Sequence, residues 1–202
     1  LSARWTAMAW ALEGLGILWL GVQQHQRRMS YSGTALLVLA LGSALWAQTD
    51  GVTSLSLLLI FAILSLCWLA AAWLWRTLFL PVSWALLAGG LLFWLVAQLG
   101  ASQLILKTEL SVLAGVLALT AASAWGWRQV AAQLAWRELD ASKWLLWPVM
   151  LLMVGYQIWH QQIVAAGWSN LAWCVALPAA LMLLRRDGER VLPRIAMGLH
   201  LS

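Results

Sequence analysis

Charged side chains are the scarcest class of residue in this chain. They make up 9% of its 202 residues, whereas about a quarter of the residues in a soluble domain are charged. Hydrophobic residues make up 63%, and the mean hydropathy is +0.83. This composition excludes an ordinary soluble domain and predicts a protein whose main solvent is lipid.

Residues that bind metals or carry out redox chemistry are also few. The chain has two cysteines and three histidines. Cys67 and Cys174 lack Cys-x-x-Cys spacing, and the histidines are isolated, so neither a zinc site nor a disulfide is indicated. The sequence contains no paired-carboxylate site, nucleophile elbow or phosphate-binding loop. We predict no metal, no cofactor and no catalytic residue, and an enzyme is not favoured.

Long apolar runs are present instead of the alternating pattern of a β-barrel. Each is about 20 residues long, which is enough to cross a hydrocarbon core of about 30 Å as a helix. The sequence therefore predicts an all-α, polytopic transmembrane bundle of about seven spans, forming a single domain over residues 1–202. The predicted spans are 5–22, 31–48, 52–75, 81–99, 110–127, 144–163 and 168–184.

Basic residues fall almost entirely on one side of this predicted bundle. Ten lie on one side, and only Arg4 and Lys107 lie on the other. Because cytoplasmic loops are enriched in Lys and Arg, the N-terminus is predicted outside and the C-terminus in the cytoplasm. The net charge of +5 then reflects topology and contact with anionic lipid, so no nucleic-acid partner is predicted. The ten basic residues are Arg27, Arg28, Arg76, Arg128, Arg137, Lys143, Arg185, Arg186, Arg190 and Arg194.

The longest connection, residues 128–143, has apolar residues at helical spacing. We interpret it as an extension of the fifth helix that lies at the membrane surface. A solvated helical linker explains the pattern equally well.

Glu13 is the one carboxylate deep inside an apolar run. An acidic residue at the centre of a span costs about 2.5 to 3.5 kcal/mol on insertion scales. A packing hypothesis pairs Glu13 with Tyr156 or Gln157 across the bundle. A functional hypothesis makes Glu13, together with these two residues, part of a proton relay or a polar gate.

Glycine and proline residues mark candidate points of helix bending. Gly14 and Gly16 closely follow Glu13, Gly89 and Gly90 are adjacent in the fourth predicted span, and Pro178 lies in the seventh. A broken helix exposes carbonyl groups to a substrate, although simple packing or a tolerated kink is the commoner outcome.

Tryptophan is unusually frequent, with 17 residues. Most lie near predicted span ends, where indoles anchor helices at the membrane interface. A functional alternative is an outward aromatic platform for sugars or lipid headgroups, formed by Trp46, Trp159 and Trp168.

Two stretches resemble a known family. The first runs from Arg4-Trp5-Thr6 through Trp10-Ala-Leu-Glu13-Gly14 to Leu18-Trp19-Leu-Gly21, and the second is Gly167-Trp168 through Leu171-Ala-Trp173 to Leu183-Leu-Arg185-Arg186. Both are similar to the bacterial membrane-protein family catalogued as domain of unknown function 2339. The resemblance implies a multi-pass location in the bacterial inner membrane. It also implies a longer chain with more spans, which fits a sequence that starts at Leu1 without Met.

Two functional hypotheses follow. In the first, the protein transports or handles a cell-envelope component, and Glu13 is a proton-linked or gating residue. In the second, the bundle is a non-catalytic scaffold or assembly platform, and Glu13 is a helix-packing contact. The expected partners are membrane lipid, other spans or domains of the same longer chain, and proteins of the envelope.

Overall fold

The computed structural model describes residues 3–49, 51, 53–159, 170–183 and 185. Within these residues the chain is helical, with short turns and no β-strand, which confirms the all-α prediction. A short 3-10 segment, Ala141–Leu145, connects two of the helices. The helices are α1 (Ala3–Gln23), α2 (Arg27–Ala47), α3 (Ser54–Trp75), α4 (Leu80–Ile105), α5 (Glu109–Gln133), α6 (Arg137–Asp140), α7 (Leu146–Trp159) and α8 (Asn170–Leu183).

Five of the described helices, α1 to α5, are long and apolar enough to cross a membrane. α3 is the most apolar of the five. The predicted spans 144–163 and 168–184 correspond to α7 and α8, but residues 160–169 and 184 lie outside the described part of the chain. The first five predicted spans therefore match helices, and the total of seven stays a prediction.

Local sequence explains where several helices begin. Thr53 caps α3: its side chain accepts a hydrogen bond from the Ser56 backbone N–H at 3.2 Å, and the Ser56 hydroxyl accepts one from the Thr53 N–H at 3.2 Å. Pro81 lies in the first turn of α4, where its missing N–H leaves no hydrogen bond unmade. His25 has a φ of 55° in the tight turn between α1 and α2, so these helices follow each other as neighbours.

The chain divides into two compact units, residues 1–108 and 109–202. In the first unit α1 packs along α2, α3 packs along α4, and α1 also contacts α3. Small residues line the contact between α1 and α2, so these two backbones approach closely. The buried residues that meet at this contact are Gly14, Leu18 and Gly21 of α1, and Ser30, Gly33 and Leu37 of α2.

Hydroxyl groups add to the packing of α3 against α4. The buried Ser65 hydroxyl donates to the Gly90 carbonyl at 2.7 Å, and the Ser83 hydroxyl donates to the Ala72 carbonyl at 2.7 Å. The Trp68 and Phe93 rings meet edge to face, with centroids 5.0 Å apart. Interhelical hydrogen bonds and close ring contacts hold this pair together where lipid offers no hydrophobic drive.

The second unit is built around α5, α7 and α8. Their facing sides form one apolar core, in which alanines of α5 and α8 allow the larger side chains of α7 to pack. An ion pair between Lys143 Nζ and Asp140 Oδ2, at 2.9 Å, stabilises the connection between α5 and α7. The core residues are Ala114, Leu117, Ala121, Leu146, Met150, Met153, Ala172, Ala176 and Ala180.

α5 continues past Arg128 to Gln133, so the predicted helical extension exists for about one further turn. A turn then interrupts the helix, and Ala135 has a φ of 49°, which a continuous helix cannot contain. The chain resumes as α6 after this turn. The connection is therefore two helical pieces rather than one, and its location at the membrane surface stays a prediction.

Candidate functional site

Glu13 is the middle residue of the 21-residue helix α1 and is exposed. At 1.5 Å per residue, it lies about 15 Å from either end of the helix. Ala9, Gly16 and Leu20 are three, four or seven positions away and are also exposed. Residues at these spacings share one side of a helix. We call Ala9, Glu13, Gly16 and Leu20 the Glu13 face.

The opposite side of α1 is filled by α2. A Cβ added at Gly14 would lie 2.9 Å from the Gly33 carbonyl oxygen, and one added at Gly33 would lie 2.5 Å from the Leu18 nitrogen. Gly21 is equally tight, with the Ser30 nitrogen 2.6 Å from its added Cβ. Gly14 is therefore a close-approach position in a continuous helix, and nothing in this geometry requires it to bend.

Gly16 lies in a different environment from Gly14. A Cβ added at Gly16 would meet no atom within 4 Å. Gly16 also borders a shallow groove of about 400 Å³ between α1 and α3, which Leu12, Trp19 and Trp73 help to line. Glu13 is not among the groove's lining residues, all of which are apolar. Glu13 therefore lies outside both the α2 contact and this groove.

Within the described residues, the Glu13 carboxyl has no hydrogen bond or ion pair. The other Lys, Arg and His residues of its unit with described side chains lie at or near helix ends, from His25 after α1 to Lys107 after α4. No second acid or base accompanies Glu13 at the middle of α1. A proton relay needs such groups within hydrogen-bond reach or one water apart.

Tyr156 has a different carboxylate partner. Its hydroxyl donates to Glu109 Oε2 at 3.0 Å, which ties α7 to the first residue of α5. Glu109 has no special pattern around it in the sequence, so only the antiparallel packing of α5 and α7 reveals the pair. Glu13 belongs to the first unit, whereas Tyr156 and Gln157 belong to the second. The pairing of Glu13 with Tyr156 or Gln157 stays a prediction.

The other candidate bending points lie inside continuous helices. α4 runs unbroken through Gly89 and Gly90, which pack against Trp68 and Leu69. A Cβ at Gly89 would lie 2.5 Å from the Trp68 ring, so this glycine makes room for an indole. Pro178 lies within α8 and borders a cavity of the second unit.

The aromatic candidates are strongly exposed where they are described. Trp46 is 70% exposed near the end of α2, and Trp159 is 84% exposed at the end of α7. Trp168 lies outside the described residues. Both described indoles can contact lipid or a ligand, and the three-residue platform stays a prediction.

No group of three His, Cys, Asp or Glu side chains among the described residues could hold a metal ion. Cys67 is buried, Cys174 is exposed, and both are free thiols.

Comparisons with protein families, with curated proteins and with solved structures give no match. The resemblance to the bacterial family of unknown function stays a prediction.

Proposed function

We propose that this chain is a membrane-embedded assembly platform, in which the Glu13 face of α1 binds a further transmembrane helix that donates a hydrogen bond to the Glu13 carboxyl. We place it in the bacterial inner membrane with seven spans, its N-terminus outside and its C-terminus in the cytoplasm. The distribution of basic residues supports this orientation.

The observation that carries the proposal is the exposure of Glu13 at the middle of α1. In hydrocarbon, a bare carboxyl group is unfavourable by about 2.5 to 3.5 kcal/mol on insertion scales. A neighbouring helix with a polar or basic side chain removes part of this cost by supplying a hydrogen-bond donor. The carboxyl can accept such a bond whether or not it carries a proton.

The residues around Glu13 suit the close approach of another helix. Ala9 and Gly16 are small, and the space at Gly16 is open. Small residues let transmembrane backbones approach, which strengthens both van der Waals contact and interhelical hydrogen bonds. The contact between α1 and α2 already uses such residues on the other side of the same helix.

Proton-linked transport has less support from this geometry. A relay or gate at Glu13 requires a water-accessible path and further polar groups. The groove that borders the Glu13 face is lined by apolar residues.

Two substitutions at position 13 separate the hypotheses. Glu13→Leu removes every polar atom, whereas Glu13→Gln keeps an acceptor and a donor but cannot transfer a proton. We expect Glu13→Leu to weaken assembly about tenfold, since an interhelical polar contact contributes about 1 to 2 kcal/mol in model systems. Glu13→Gln should largely retain assembly. The measurement is the fraction of chain in larger complexes, extracted in mild detergent and sized by native electrophoresis.

Retention of full assembly by Glu13→Leu would refute the platform. Loss of in-cell function by Glu13→Gln, with assembly and folding intact, would favour the relay instead.

A further inference from the structure

The second unit contains a groove with a polar end and apolar walls. Its volume is about 790 Å³, which lies within the range of about 300 to 1,000 Å³ typical of small-molecule sites. One wall is the second half of α5, and the other is α8. We call it the Arg128–Arg185 groove after the two arginines that border it.

The arginines lie toward one end of each helix wall. Arg128 follows Ala121 by seven residues on α5, and Arg185 follows Cys174 by eleven. At 1.5 Å per residue, the apolar part therefore extends about 10 to 16 Å away from the charges. Trp125, Pro178 and Met182 line this part.

Charge favours an anionic occupant. None of the described residues that line the groove is acidic. Arg128 is half-buried and has no ion pair among the described residues. A guanidinium group binds phosphate through two parallel N–H bonds, and low polarity around it strengthens this attraction.

The shape favours a ligand that combines an anion with a long apolar chain. A free phosphate metabolite would leave the apolar walls of the groove unfilled. A phospholipid fills both parts, because its phosphate contacts the arginines and its acyl chain lies along the helices. Basic pockets between transmembrane helices on the cytoplasmic side are known to bind anionic lipid headgroups in this way.

We propose that the Arg128–Arg185 groove is a binding site for an anionic phospholipid, with its phosphate held by the two arginines and an acyl chain along Trp125, Pro178 and Met182. The site is independent of the Glu13 face, because it is formed within the second unit alone.

The test uses the full chain in detergent micelles, titrated with phosphatidylglycerol or phosphatidylcholine and analysed by native mass spectrometry. The variant is the double substitution Arg128→Gln and Arg185→Gln. Its control is Arg27→Gln with Arg28→Gln, which removes the same charge from two exposed residues at the start of α2. We expect phosphatidylglycerol to bind the wild type preferentially, and the groove variant to bind it about tenfold more weakly or worse. The control should stay within about twofold, since diffuse surface charge contributes little specificity.

A second pair of variants tests the apolar wall. Ala122→Trp fills the groove, whereas Ala132→Trp places the same side chain on an exposed position of α5 that does not line it. We expect only Ala122→Trp to lower phosphatidylglycerol binding.

Three results would overturn the proposal. The first is equal binding of phosphatidylcholine, and the second is an equal loss in the Arg27/Arg28 control. The third is displacement of the lipid by glycerol 3-phosphate at similar concentration, which would identify a site for free phosphate compounds.

Discussion

The two sides of α1 differ in what covers them, although both carry glycine. On one side Gly14 lies so close to α2 that a single added carbon would meet the Gly33 carbonyl at 2.9 Å. On the other side Gly16 has open space and lies beside the exposed carboxyl of Glu13. One side of α1 is therefore covered by a neighbouring backbone, whereas the other side is uncovered. The uncovered side carries the only acidic residue of the apolar helix α1.

The largest expected effect comes from disrupting the contact between α1 and α2. Gly33→Leu should lower the free energy of unfolding by about 3 kcal/mol, because overpacking forces helices apart. The added Cβ would meet the backbone of Leu18 and Gly14 at 2.5 and 2.6 Å, and backbone atoms cannot rotate away. The measurement is unfolding of the purified chain in detergent.

Gly42→Leu is the matched control for this substitution, because an added Cβ at Gly42 on the same helix meets nothing within 4 Å. It should change stability by less than about 0.5 kcal/mol. Equal destabilisation by both substitutions would show that α1 and α2 are not in backbone contact at Gly33.

Filling the open side should act on assembly and leave folding unchanged. Gly16→Leu adds a Cβ that meets no atom within 4 Å, as at Gly42, so its stability should be close to that of Gly42→Leu. Complex formation should fall about tenfold, on the scale of one lost interhelical contact. Native electrophoresis and detergent unfolding on the same samples give both quantities.

A fall in stability with no change in assembly would contradict the assignment of Gly16 to an open docking face.

The smallest expected effect concerns a packed contact that depends on a side chain. Ser65→Ala removes the hydrogen bond to the Gly90 carbonyl. Interhelical hydrogen bonds in membranes average about 0.6 kcal/mol, so the free energy of unfolding should fall by about that much. Unfolding of the Ser65→Ala and Gly33→Leu variants in the same detergent compares the two losses of stability. The comparison measures whether the close glycine contact stabilises the bundle more than the hydroxyl hydrogen bond does. A larger loss for Ser65→Ala than for Gly33→Leu would reverse this order.

Hydropathy predicted the helices well because lipid requires long, continuous apolar segments. The structure adds that Thr53 caps the start of α3, and it places Pro81 in the first turn of α4. The end of α4 was predicted at residue 99, yet the helix continues to Ile105. Gln98, Ser102 and Gln103 lower hydropathy there, but their backbones continue the helix, and the Gln103 amide oxygen accepts a hydrogen bond from Ser54.

The Glu13 face and the Arg128–Arg185 groove were harder to predict from the sequence than the helices were. Gly14 and Gly16 look alike in the chain, but at 100° per residue they point to nearly opposite sides of the helix. Which side is covered depends on the position of α2, and that position is set by contacts distant in sequence. The charge of Glu13 makes it a candidate in the sequence, whereas the sequence pattern explains Arg128 and Arg185 by topology alone. Their common groove exists because α5 and α8 pack side by side.

The central claim is that another helix covers the Glu13 face, and photocrosslinking from that face tests it most directly. In one variant a photoreactive residue replaces Leu20. In a control variant it replaces Leu45, an exposed leucine of α2. We predict polypeptide adducts from position 20 and none from position 45, with the adduct lost when Glu13→Leu is added. Adducts to lipid alone at position 20, or a polypeptide adduct that survives Glu13→Leu, would contradict the account.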